Sequence, residues 1–181
     1  RDMKKSVFKG LLATVLVCAI FAMAAGDVSV ATTPVSEAVS EEVFAASSEE
    51  YFDIEDGTLY EYYGDAKKVV IPNSVKVIDG GAFWYTNKSV EVLVIGKNVK
   101  KIVPGALKGL KNLKEIKVAS GNKYFKVYEN VLYNKKKTKV VAVPAQLDQV
   151  KLSTKAKTIG AYAFAGSKIK EVKLPSKVTK I

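Results

Sequence analysis

Six lysines recur at fixed places along this chain. Lys76, Lys100 and Lys157 each stand two residues before an isoleucine, and Lys117, Lys151 and Lys173 each sit between two apolar residues. Ammonium groups repeated at outward positions attract polyanions through additive, salt-sensitive contacts, so teichoic acid, anionic glycans or acidic proteins are the partners to expect. Columns of lysine also keep exposed strands soluble and unpaired, and the sequence leaves both readings open. The second candidate is aromatic. Trp84 and Tyr85 follow Phe83 into a loop, where their faces could stack on a sugar ring or anchor a protein partner.

Catalytic chemistry has little to draw on. The chain contains no histidine, and its one cysteine is Cys18, so serine-histidine and cysteine-histidine nucleophiles and the common zinc sites have no ligands or bases. The carboxylates Asp53, Glu55 and Asp56 crowd one short stretch and read as a solvated acidic turn rather than as an acid/base pair. No phosphate-cradling glycine motif is present. The expectation is a protein that is not an enzyme and takes no cofactor and no metal. Arg1 is the only arginine, which argues against specific nucleic-acid recognition, where the guanidinium fork dominates. A lysine-rich, arginine-poor composition is also what AT-rich coding sequences produce.

Charge divides the chain. Residues 28–65 hold ten carboxylates and no basic residue, whereas residues 66–181 hold 25 lysines against six carboxylates. Ahead of both lies KKSVFKGLLATVLVCAIFAMAA, three lysines leading into an apolar run and then small residues, which reads as a secretory signal over 3–25 with Met3 as the start. Its apolar core is shorter than the ~20 residues a membrane span needs, so no membrane span is expected in the mature chain. Export without cysteine suits a bacterial envelope. Residues 26–50, rich in Ser, Thr, Ala, Val and Glu without helical or strand period, read as an acidic disordered linker.

The lysines are positioned by a repeat. IPNSVKVIDGGAF at residues 71–83 is echoed by IGKNVKKIVPGAL at 95–107, by LSTKAKTIGAYAF at 152–164 and by LPSKVTKI at 174–181. Each copy has an apolar residue, a second four later (Val75, Val99, Ala156, Val178), an isoleucine three after that, then Ala-Phe or Ala-Leu. A repeat of this length is one supersecondary unit that buries its apolar side only by stacking into a solenoid. Short alternating runs predict parallel strands at 69–71, 93–95, 116–118, 150–152 and 172–174, outer residues inward and the middle one outward. Val75, Ile78, Phe83, Val99, Ile102, Leu107, Ile159 and Phe164 are the expected interior. The third repeat breaks the pattern, because residues 121–145 alternate around an Asn134–Lys137 turn and read as a β-hairpin. The stretch from Ile54 has a similar shape and is expected to cap the first coil, with Tyr60, Tyr62 and Tyr63 covering its open core. Ile181 falls on an anchor position, so the repeat is expected to continue past it.

The cassette, the NVLYNKKKTKVVAVPA insertion and the DGTLYEYYG segment resemble the BspA-type leucine-rich repeats of bacterial surface proteins, also called the Treponema pallidum type, over about 51–181. Leu107 in place of the usual Phe, and Pro104 in place of a small or polar residue, depart from that pattern. The resemblance implies a mainly β leucine-rich-repeat solenoid of about five coils, with short parallel strands, short helical or 3-10 turns and a hairpin insertion, extracellular and non-catalytic. The function expected is a secreted or cell-surface binding module acting in adhesion to protein or glycan. The alternative is a structural or cell-wall-anchoring segment, or an accessory module, of a larger envelope protein.

Overall fold

Every repeat opens on a strand because its residues alternate between interior and solvent. Val69 and Ile71, and Leu93 and Ile95, are fully buried, while Val70 and Val94 between them are only half-buried. The computed structural model describes residues 49–84 and 89–181. The expected signal segment, nearly all of the expected linker, and Tyr85 lie outside the described residues. The last two linker residues belong to the folded unit: Glu49–Tyr51 forms a 3-10 turn, and the Tyr63 hydroxyl donates to the Glu50 carbonyl at 2.6 Å.

Two sheets build the first half. Strands β3 (Lys68–Val70), β5 (Val92–Ile95) and β7 (Glu115–Val118) are stacked in parallel, Val69 beside Leu93 beside Ile116. A hairpin of β1 (Phe52–Glu55) and β2 (Thr58–Tyr62) leads a second sheet, continued in parallel by β4 (Val77–Ile78) and β6 (Lys101–Ile102). Asp56 and Gly57 turn the hairpin with φ of 50° and 75°, the left-handed pair whose twist matches a two-residue connection. The cap expected for the first coil is therefore a strand of the stack itself, since Leu59 of β2 sits beside Ile78 of β4. Tyr62 points inward against Phe52 and Phe83, at ring distances of 4.8 and 5.9 Å, but Tyr60 and Tyr63 are exposed. Only one of the three tyrosines closes the core: the hairpin register pairs Asp53 with Glu61 and then Ile54 with Leu59, a bulge at Tyr60 that lets Leu59 and Tyr62 both face inward, and Tyr63 lies past the end of the strand.

Between the two strands of a coil lies one recurrent turn. The amides of Val75, Val99, Ala156 and Val178 donate to the carbonyls of Pro72, Gly96, Ser153 and Pro175. Gly96 is fixed there by space: a Cβ would stand 2.6 Å from the Ile71 carbonyl oxygen of the coil before. After the second strand, i to i+3 hydrogen bonds run through Val103–Leu110 and Gly160–Ser167, which makes the expected helical turns a chain of 3-10-like bends.

The stack is interrupted where the sequence breaks pattern. Strands β8 (Phe125–Tyr128), β9 (Val131–Asn134) and β10 (Lys139–Ala142) form an antiparallel meander rather than one hairpin, because Glu129 and Asn130, at φ 49° and 55°, make a second tight turn. Coiling then restarts on β10, whose Val140 pairs in parallel with Ile159 of β11 (Thr158–Ile159), as Leu59 does with Ile78 at the start. β9 is buried on both faces. Leu132 belongs to the first apolar cluster, which runs from Phe52 to Ala142, and Val131 and Tyr133 belong to a second, with Val140, Leu152, Ala156 and Ile159.

Several expectations fail here. Residues 150–152 and 172–174 form no strand; the ladder position beside β7 expected for residues 150–152 is taken by a side chain described below, Leu152 stays buried without a ladder, and Leu174 is 43% exposed. Ile102 and Leu107 are only half-buried against the first cluster, and Leu110 fills the interior near Leu107 instead. Phe164 is also half-buried, packed against the edge of the second cluster.

Candidate functional site

The lysines expected to form columns fall into separate groups. Lys76 and Lys100 are exposed neighbours, joined through their backbones by the Lys100 amide donating to the Lys76 carbonyl at 2.8 Å. Lys157, also exposed, lies on the second stack beside Thr138, since β11 pairs with β10 and not with β6. Lys117 projects from β7 with its Nζ 3.3 Å from Glu115, so its charge is partly answered. Lys151 and Lys173 are exposed but lie outside any strand. Proximity of like charge is thus realised at Lys76 and Lys100 but not along either row of three.

Another column alternates in sign. Lys67 and Lys114 flank Glu91 at 3.9 and 2.8 Å. The hydrogen bond from Lys114, with the charges of Lys114 and Lys67, holds the Glu91 carboxyl below its usual range despite slight desolvation. On that face one carboxylate offsets part of the lysine charge.

Cationic character gathers instead at the break in the stack. A groove of about 210 Å³ lies between β6 with its following turns and the β10 to β11 unit. Lys100, Lys101, Lys108 and Lys139 rim it, no carboxylate lines it, and Leu110, Phe125 and Val141 contribute an apolar floor. At its mouth the Lys108 ammonium stands 4.3 Å from the centroid of the Trp84 ring and 5.5 Å from that of Tyr162, both rings being mostly exposed. Trp84 and Lys108 hold the same place in successive copies, one residue past the Phe83 and Leu107 anchors, so stacking alone brings them together. Tyr162 holds the place of Gly105, and both are left-handed, with φ of 61° and 86°. For a bulky side chain that conformation costs on the order of 1 kcal/mol, and here it lays the phenol ring against Gly105.

Sequence reasoning missed the residues that create the groove. Asn122 follows Val118 by four positions and so occupies the apolar anchor place of Val75 and Val99. It is 1% exposed. Its Nδ2 donates to the carbonyls of Gly96 and Val99 at 2.9 and 3.0 Å, and its Oδ1 accepts from the amides of Tyr124 and Phe125 at 2.8 and 2.9 Å. Asn130 acts similarly on β7: its Oδ1 accepts from the Ile116 amide at 3.2 Å, and its Nδ2 donates to the Lys114 carbonyl at 2.8 Å, as a neighbouring strand would. Both carboxamides stand in for the coil that the insertion displaced. An anchor position holding Asn was the available signal.

Asp53, Glu55 and Asp56 are exposed on the first hairpin. Among the described residues, no helix is long and apolar enough to cross a membrane.

Comparison with known proteins bears on the whole folded unit. The model of the BspA type leucine rich repeat region matches residues 52–181 with six copies, against about five counted from the anchors; β2 and β10 fill strand positions that the anchor motif does not mark. A solved leucine-rich repeat protein from Eubacterium ventriosum is 31% identical over 62% of this chain and 31% of its own, at a TM-score of 0.55. The pneumococcal vaccine antigen PcpA matches at 18% identity and a TM-score of 0.49, over 62% of this chain and 40% of its own. A leucine rich cell surface protein from Faecalibacterium prausnitzii matches at 18% identity and a TM-score of 0.48, over 62% of this chain and 36% of its own. This chain therefore spans well under half the length of each. No curated protein matches it. With that model matching residues 52–181, the chain belongs to the BspA-type leucine-rich-repeat family.

Proposed function

We propose that this chain is a secreted or cell-surface binding module of a bacterium, which engages an extracellular protein or an anionic glycan or cell-wall polymer through its basic face and so serves adhesion. The observation that carries this reading is the excess of 25 lysines over six carboxylates in residues 66–181, with Lys76, Lys100, Lys101 and Lys139 exposed around one part of the surface. The family is typically a non-enzymatic binding fold, which supports binding over catalysis.

The test is retention on immobilised lipoteichoic acid and on heparin as a function of salt. Replacing Lys76, Lys100, Lys101 and Lys139 together by Gln should lower retention and flatten its salt dependence while circular dichroism is unchanged. Each exposed charge contributes about 1 kcal/mol or less, so single changes should barely register. Equal retention by the quadruple variant at every salt concentration would remove the basic face from the mechanism. Salt-eluted retention on whole cell walls, without saturable binding to any one polymer, would favour an anchoring segment of a larger envelope protein.

A further inference from the structure

The break in the stack leaves one strand edge without its neighbour. In an intact step the second strand of a coil is paired on both sides: Ile78 stands between Leu59 and Ile102, and the Ile159 amide donates onward to the Lys180 carbonyl at 2.9 Å. β6 has β4 on one side only. Its Lys101 and Val103 amides donate back to Lys76 and Ile78, so alternation turns the Ile102 amide and the Lys100 and Ile102 carbonyls the other way. Among the described residues no hydrogen bond is made to these three groups. Lys100, Lys101 and Ile102 line the groove.

The other gaps left by the insertion are filled. Asn130 closes the edge of β7, and Asn122 closes the turn at Gly96 and Val99. Of the gaps left by the insertion, the one at β6 is filled by no side chain among the described residues, and the groove beside it has side walls of lysine and a floor of apolar side chains. A glycan offers no alternating amides and carbonyls at ladder spacing, whereas an extended peptide does. Carboxylates on one face of such a peptide would meet Lys100, Lys101, Lys108 and Lys139, and apolar residues on the other face would rest on Leu110, Phe125 and Val141.

We propose that this groove takes an acidic, extended peptide segment of a partner protein, which adds as a parallel strand to β6 in the place of the missing coil. This rests on the reading of the chain as a binding module and names the site and the partner class.

The probe is a short blocked peptide of alternating valine and glutamate, titrated calorimetrically into the folded protein. Two further peptides carry backbone N-methyl groups on alternate residues, one set in each register. Because each blocked amide loses a ladder hydrogen bond, the register that blocks pairing should weaken binding about tenfold or more while the other binds normally. Lys101→Glu with Lys139→Glu should weaken binding at least as much, and Lys151→Glu with Lys173→Glu should not. If both N-methylated peptides bind as tightly as the parent, or if heparin binds and the peptide does not, strand addition is wrong while the basic-face reading stands. If neither peptide nor heparin binds, both fall.

Discussion

The carboxamide of Asn122 donates to the Val99 carbonyl at 3.0 Å from a position that other copies of the repeat fill with valine or alanine. One polar side chain thereby ends the coil that begins at β7 and releases the chain into the meander. Replacing it with the valine that the repeat pattern dictates should harm the protein. Asn122→Val would leave the Gly96 and Val99 carbonyls and the Tyr124 and Phe125 amides short of partners in a buried place, and a loss on the order of 3 kcal/mol is expected. Urea midpoints measure it; an unchanged or raised midpoint would show that the plug is dispensable.

Interior rings should differ in what their removal costs. Phe83 is 1% exposed and touches Tyr62, so Phe83→Ala should cost about 3–5 kcal/mol. Phe164, at the same repeat position, is half-buried on the second cluster and should cost about half as much, in proportion to the apolar area it hides. Equal losses in the two denaturation curves would contradict the burial.

Alkaline stability follows from two tyrosines. Burial pushes the Tyr133 and Tyr62 hydroxyls above their usual range, against the hydrogen bonds they accept from Ser153 and Ala66. These phenols keep their protons when folded at pH values where the unfolded chain loses them. Their contribution is complete below about pH 10, the ordinary tyrosine value, and falls as pH rises through the folded value. Tyr133→Phe should lower stability at neutral pH by about 1–3 kcal/mol by orphaning the Ser153 amide, yet flatten the loss above pH 10. A variant with the wild-type alkaline slope would show that Tyr133 does not carry it.

Trp84 is the only tryptophan, so its emission reports on the groove mouth. Removing the ammonium 4.3 Å from its ring by Lys108→Ala should shift the emission maximum and cost about 0.5–1 kcal/mol, as for exposed cation–π pairs. Identical spectra for wild type and variant would place Lys108 away from the ring in solution.

Most of the fold was legible because stacking obeys local spacing. Val69, Leu93 and Ile116 could be matched by eye, since an apolar residue at a fixed offset in a repeat has one place to go. The break could be located but not shaped, because it depends on single polar groups. Nothing in alternation says that Asn122 will spend all its hydrogen bonds at a valine position, or that Glu129-Asn130 will adopt two left-handed conformations. The lysine rows make columns only where coils are adjacent, and nothing local in the sequence says how far the meander parts Lys100 from Lys157. The groove was hidden for the same reason: Lys101 and Lys139 are far apart in sequence and meet only where the stack restarts.

Amide hydrogen exchange at Ile102 and Ile159, followed residue by residue by nuclear magnetic resonance, tests the open strand edge most directly. The two amides hold equivalent places in the repeat, and only Ile159 has an acceptor in the next coil. Ile159 should be protected in the free protein and Ile102 should exchange markedly faster, becoming protected when the valine-glutamate peptide is added. Equal protection of both amides in the free protein, or an Ile102 amide whose exchange is unmoved by saturating peptide, would contradict the vacancy at β6 and the strand proposed to fill it.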